Sequence, residues 1–327
     1  AQRELVVENG ELLWLDHMRG AARLTLTQVS LSLRNIADRH QLGVRALFPV
    51  SLCESCAFIA DVSGNPLVDG DWTGKVFVEA VGLNIEQLPP IVREILPDEF
   101  RGRFSLRLWS EWKNNRPYLV RGDVGVADLR LPVPGLHRPL AVRRAQTDLV
   151  WRGGDETWYL DLNKLQLAFT GVPWSAGRLR IEQRFEDTVV RIKHIDIGDV
   201  SRFVAGLEQK NQALDWMRAL RPSGALNEFK LVIDKNWFNP AHYVLEAEAA
   251  NLAVLAHRDF PGLSGVSGRL SAHPRGGEFV LDSADGHVDL RKVFRAPLDW
   301  QRAEGRVRWQ RTDEYWQVIA DKLQIRS

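Results

Sequence analysis

Four sets of residues have types and spacings that invite chemistry, and none completes a reactive constellation. Cys53 and Cys56, the only cysteines, sit in the run Leu-Cys-Glu-Ser-Cys. A tetrahedral zinc site needs two further ligands, and a thioredoxin-like dithiol needs a helix starting at its first cysteine inside a βαβ unit. The flanking Pro49 and Phe58-Ile59-Ala60 predict neither, which leaves a local disulfide or two plain thiols. Paired carboxylates occur twice, as Asp155-Glu156 and Asp313-Glu314, each between Trp-bearing strand-like segments where the chain must turn. Solvated hairpin tips are expected there, not a metal pair. The glycine-rich stretch from Gly262 to Gly268 has GxSG spacing, but Leu263 and Val266 give it a strand-like setting and no nucleophile elbow is formed. The histidines at 17, 40, 137, 194, 242, 257, 273 and 287 show no HExxH, no HxH and no pair at helical spacing. Neither GxGxxG nor GxxxxGK[ST] occurs, so no phosphate cradle is present. The sequence assigns no catalytic residue, no metal ligand and no cofactor, and the chain is not read as an enzyme.

The elements that carry these residues are mostly strands. Apolar side chains alternate with polar ones at Leu24, Leu26, then Val29, Leu31 and Leu33 after a one-residue phase shift, and again at Val76, Val78 and Ala80. The same period of two recurs at Phe104, Leu106, Leu108; at Leu179, Ile181; at Phe229, Leu231, Ile233; and at Tyr243, Leu245, Ala247, Ala249. One apolar and one wet face per strand is the pattern of an antiparallel sheet covered on one side at most. The phase shift at Thr27-Gln28 and the glycines at 122, 125 and 286 are expected to be bulges or bends that curve the sheet. Helical signals are few. Residues 199 to 220 place Val200, Phe203, Val204, Leu207, Leu214, Met217 and Leu220 on one stripe, capped by Asp199 or Ser201, and residues 86 to 96 form a shorter candidate.

Repetition organises the chain. Residues 149 to 167, LVWRGGDETWYLDLNKLQL, and residues 307 to 325, VRWQRTDEYWQVIADKLQI, match at one constant offset. Trp151 maps to Trp309, Trp158 to Trp316, and Lys164-Leu165-Gln166 to Lys322-Leu323-Gln324. A second signal is the passage helix, Pro, Gly, strand, which occurs around Pro97-Gly102 and again around Pro222-Gly224. Recurrence of this kind marks stacked supersecondary units, none of which buries its apolar face alone. Three units follow: 1–97 ending in a short helix, 98–222 ending in an amphipathic helix, and 223–327.

Composition limits the partners. Hydrophobic residues at 45% and charged residues at 26% describe a folded chain, and 43 basic against 42 acidic residues leave a net charge of +1, so nothing attracts nucleic acid. There are 12 Trp against 4 Tyr, several near strand ends, as at Trp14, Trp72, Trp109, Trp151 and Trp309; indole suits a half-apolar, half-wet rim. No apolar run reaches the roughly 18 residues of a membrane-spanning helix. The opening AQRELVVENGELLWLD enters directly into strand alternation with no leader pattern, and the chain reads as a piece of something longer.

The opening ENGELLWLD followed by ARLTLTQVSLSLRN resembles the AsmA-like proteins of Gram-negative envelopes. The passages WTG and EAVGLNIEQLPP, LPDEFRGRFSLRLWSEW, the paired WRGGDETWYLDLNKLQL-type segments and VFRAPLDWQRAEGRVRW are similar, more narrowly, to the large YhdP-type members. That resemblance implies a mainly β fold: an elongated, curved, taco-like antiparallel β-groove of repeated units with a few short helices. It further implies a periplasmic bridge, anchored to the inner membrane, whose groove holds phospholipid acyl chains between inner and outer membranes. The expected lining is Leu24, Leu26, Leu31, Leu33, Val76, Val78, Phe104, Leu106, Leu108, Leu160, Leu162, Leu165, Leu167, Phe169, Leu179, Ile181, Phe229, Leu231, Ile233, Tyr243, Leu245, Phe279, Leu281, Leu323 and Ile325. Periodicity alone allows the same face to be closed by a second sheet as a sandwich-like binding module. A scaffold that assists outer-membrane protein assembly through free strand edges is the other alternative.

Overall fold

The computed structural model describes residues 3–15, 24–65, 72–88, 101–131, 140–169, 172–206, 212–234, 242–258, 260–290, 295–312 and 314–326. They form two units, Ala1–Thr170 and Gly171–Ser327. The first holds nine strands: β1 (Glu4–Trp14), β2 (Leu24–Ile36), β3 (Arg39–Leu47), β4 (Ser55–Gly64), β5 (Trp72–Asn84), β6 (Arg101–Lys113), β7 (Arg116–Leu131), β8 (Leu140–Gly153) and β9 (Thr157–Phe169). Each pairs antiparallel with its neighbour in sequence. Among the described residues no register joins β1 to β9, so the sheet of this unit is open. At 4.7 to 4.9 Å per strand, nine strands extend roughly 38 Å across.

The second unit repeats the plan with β10 (Val172–Arg184), β11 (Asp187–Asp196), β12 (Ser223–Asp234), β13 (Tyr243–Val254), β14 (Gly262–His273), β15 (Gly276–Asp289), β16 (Leu298–Arg311) and β17 (Trp316–Arg326). Two helices, α1 (Ile197–Gly206) and α2 (Gln212–Leu220), connect β11 to β12, and α1 packs on β10, β11 and β12. The N-terminal cap of α1 differs from expectation. Asp196 accepts from the Asp199 backbone N–H at 2.9 Å, so Asp199 stands in the first turn, where it pairs with Arg202. Residues 207–211 of the expected stripe lie outside the described residues. So do residues 89–100, which hold most of the shorter helix; its described head, Ile85–Gln87, is a 3-10 turn.

Bulges appear where the hydrophobic phase slips, though not at every expected place. Gln28 has φ 51° and the β2–β3 register shifts between Thr27 and Ser30. By contrast Gly122 and Gly125 keep the ladder in step. Glycine at 122 is required by proximity, since a Cβ there would stand 1.9 Å from the Arg107 carbonyl oxygen. Gly286 stays in register with β16, but on its other side the β14–β15 register shifts between Ser264 and Gly268, opposite the stretch that holds Gly286 and its left-handed neighbour Asp285. The two sequence copies fold alike in detail. Trp151 faces Leu160 as Trp309 faces Val318, and Leu149 faces Leu162 as Val307 faces Ala320. Both hairpins then slip by one residue at a left-handed lysine, Lys164 with φ 53° and Lys322 with φ 50°.

Cores are small for this much chain. The accessible surface is 21544 Å². A compact protein of 37.2 kDa exposes about 14,000 Å², and two separate compact halves would expose about 16,500 Å².

Candidate functional site

In an antiparallel ladder directly opposed residues share a face, so the register shows which side chains form continuous rows. In the first unit one row crosses all nine strands as Val7, Leu31, Val44, Phe58, Val78, Leu108, Gly122, Leu149 and Leu162. A second runs Leu5, Leu33, Leu42, Ala60, Val76, Ser110, Val120, Trp151 and Leu160. On the same face Leu83, Phe104, Val126, Ala145 and Leu167 continue the apolar surface over five strands. Most of these side chains are half-buried, whereas Leu26, Leu165 and Phe169 are buried.

The second unit carries the equivalent rows. Ile181, Val190, Leu231, Leu245, Ala272, Gly277, Trp309 and Val318 form one. Leu179, Ile192 and Phe229 begin another, and beyond the bulge at Glu228 it continues as Ala247, Leu270, Phe279, Val307 and Ala320. Ile233 faces Tyr243, Leu281 faces Gly305, and Ile325 faces Ala303. On β17 the lining is open, with Val318 67%, Leu323 48% and Ile325 53% exposed.

The opposite face is charged. Arg107 donates to Glu79 at 2.8 Å from the directly opposed strand position, and Lys230 does the same to Glu246 at 2.8 Å. Arg308 Nε reaches Asp321 at 2.9 Å. Arg39 Nε holds Asp61 at 2.7 Å, and this hydrogen bond lowers the Asp61 carboxyl to about 2 against the opposing effect of desolvation.

Several contributors were missed by reading the strongest alternations only. Leu42, Val44, Phe58, Ala60, Val120, Val190, Ile192 and Leu270 belong to the rows, and their strands alternate too, but Gly122, Thr147 or small residues interrupt the pattern. The connections differ between the two ends of the strands. Where β2 meets β3 and β6 meets β7 the turns have two residues, Ala37-Asp38 and Asn114-Asn115, with left-handed φ at Ala37 and at both asparagines. At the other end of β3 the loop to β4 contains a Cys53–Cys56 disulfide, S–S 2.17 Å, which resolves the two readings of that pair. Leu52 and Cys53 of this loop are buried on Ala80, with Leu24, Phe48, Leu83, Leu88 and Leu106 around them. The loop therefore covers that end of the apolar face.

At the two-residue-turn end no described residue covers the face, and a cavity of about 880 Å³ is lined by Leu33, Leu42, Phe58, Ala60, Val62 and Val76, with Asn35, Asp38, His40, Asn65 and Trp72 at its polar side. Asp155 and Glu156 sit at the exposed tip between β8 and β9; Asp313, His17 and His137 lie outside the described residues. Among the described residues no three His, Cys, Asp or Glu side chains gather as a metal site, and no helix is long and apolar enough to cross a membrane.

Comparison with known proteins adds the family. The intermembrane phospholipid transporter YhdP of Escherichia coli (strain K12) is 20% identical over 183 residues, covering 52% of this chain and 14% of that protein. No solved structure matches the chain. A family model described as YhdP protein matches residues 1–327, the whole sequence. With that match added to sheets that leave an apolar face uncovered, the chain belongs to the YhdP family.

Proposed function

We propose that this chain is an internal segment of a periplasmic bridge that conducts phospholipid between the inner and outer membranes, held at the inner membrane by parts of the protein outside this chain. The single observation that carries the proposal is the set of opposed, largely apolar rows, two of which cross all nine strands of the first unit in register, with most members half-buried. Each methylene taken from water onto such a surface gains roughly 0.8 kcal/mol, so an acyl chain is held without any polar recognition. Because successive strands present similar side chains every 4.8 Å or so, moving a chain by one strand exchanges equivalent contacts and meets only small barriers. The protein's work is guidance, with no covalent step and no cofactor.

Support also comes from the relative, whose name records intermembrane phospholipid transport. The residues expected as lining, from Leu24 to Ile325, are proposed as the acyl-chain surface, joined by the members of the same rows named above. Residues 1–97, 98–222 and 223–327 are proposed as its repeating units. Gly102 and Gly224, both with positive φ at the head of a strand, support those boundaries.

The test is mass spectrometry of lipid that co-purifies with the 327-residue chain expressed in a Gram-negative envelope. Stoichiometric phospholipid, lost on introducing charge into the rows, is expected; a chain that carries no lipid, or carries it equally after such substitution, contradicts the proposal.

A further inference from the structure

Nothing so far says which phospholipid the groove takes. We infer that the open cavity at the two-residue-turn end of the first unit reads the headgroup, and prefers a zwitterionic phospholipid with a primary ammonium group over an anionic one. The inference rests on the lipid-groove reading above and deepens it.

The cavity has the layout of an amphiphile site. Leu33, Leu42, Phe58, Ala60 and Val76 form an apolar floor continuous with the rows. Toward the β2–β3 turn the lining becomes polar. His40 faces Asn35 across the strands, and its Nδ1 donates to Asn35 Oδ1 at 2.8 Å. In a neutral ring that tautomer makes Nε2 an acceptor, on a ring that lines the cavity. Trp72 stacks on Trp112 with centroids 5.2 Å apart, an indole pair at the level where apolar floor gives way to water.

Charge decides the headgroup. Among the described lining residues Asp38 is the one carboxyl side chain, and no Lys or Arg is present. Asp38 makes no ion pair among the described residues; Gly64 binds its backbone carbonyl only. The adjacent Arg39 is occupied by Asp61 on the opposite face of the sheet. A phosphate with no compensating cation of its own would therefore meet a carboxylate and no guanidinium. An ammonium group offers three N–H donors to a site that presents acceptors, the Asp38 carboxylate and the His40 ring nitrogen. The lipid phosphate then stays on the water side.

The experiment is competition. The 327-residue chain is equilibrated with vesicles holding equal amounts of phosphatidylethanolamine and phosphatidylglycerol with identical acyl chains, and bound lipid is counted by mass spectrometry. A preference for phosphatidylethanolamine of roughly threefold to fivefold is expected, the size an exposed ion pair supports. In Asp38→Asn, a residue equally at home in a two-residue turn, the preference should vanish. Equal binding of both lipids by the unsubstituted chain, or a preference that survives Asp38→Asn, overturns the headgroup assignment alone. Absence of either lipid overturns the groove reading beneath it.

Discussion

Cys53 is fully buried although it belongs to a surface loop, because Leu52 and Cys53 fold back on Ala80 and Leu106. The backbone fixes the same arrangement: Glu54 N–H donates to the Val81 carbonyl and Asn84 N–H to the Leu52 carbonyl. The disulfide restrains the unfolded chain over a very short loop, so its loss is expected to cost about 2 kcal/mol on the chain-entropy model. Cys53→Ser/Cys56→Ser should lower the unfolding free energy measured in urea by that amount yet leave lipid binding intact, since the rows in Phe58, Val78 and Leu108 do not pass through the loop. A second residue-scale prediction concerns acid. Asp61 is held at about 2 by Arg39, below the ordinary value near 4. A depressed carboxyl stabilises the fold fully above pH 4 and loses that contribution as pH falls from 4 to 2. Stability of Asp61→Asn should be flatter than that of the unsubstituted chain over this window and equally flat above it, read by thermal unfolding at stepped pH.

At the scale of elements the repeated hairpins offer a sharper test than any single contact. Lys164 and Lys322 hold the same left-handed bulge in β8–β9 and β16–β17, so a β-branched residue at either position should cost about 1 to 2 kcal/mol, while glycine should be nearly neutral. Lys164→Val and Lys322→Val losing similar stability would show that the copied sequence encodes the bulge itself; a loss at one site only would assign it to surrounding contacts. These hairpins also show how much the sequence reveals. Their period-two alternation and the doublets Asp155-Glu156 and Asp313-Glu314 mark strands and turns, and the Trp151 and Trp309 correspondence marks the repeat. The bulge at Gln28 is readable because Leu26 and Val29 break phase. The bulges at Lys164 and Lys322 are not, since lysine has no special left-handed preference and apolar residues flank it at either phase. Glycines mislead for the opposite reason: Gly122 is small because Arg107 passes close to it, which is a property of the neighbouring strand. The covering loop is likewise hidden, because Leu-Cys-Glu-Ser-Cys does not say which strand it will lie on.

For the whole molecule the decisive question is whether the apolar face is a passage or a sealed core, and two leucines on that face answer it differently. Leu106 lies beneath the disulfide loop, packed with Leu52 and Ala80. Leu231 stands half-buried in the row from Val190 to Leu245, near the end of β12 where the strand turns. Leu106 is half-buried too, but its side chain packs against the loop, so Leu106→Asp gives up those apolar contacts and is expected to lose roughly 1 to 3 kcal/mol. At Leu231 the carboxylate reaches water along the open face, so Leu231→Asp should keep most of its stability. It should still obstruct the path, because an acyl chain crossing an ionised group gives up methylene contacts and strips its water, at a cost of several kcal/mol. The measurements are thermal unfolding of each variant chain and envelope integrity of cells carrying each variant in the full-length protein. A Leu231→Asp variant that folds but fails in cells supports passage over this surface. If it is destabilised as Leu106→Asp is, the face is a closed core; if it folds and cells remain intact, the cargo takes another route.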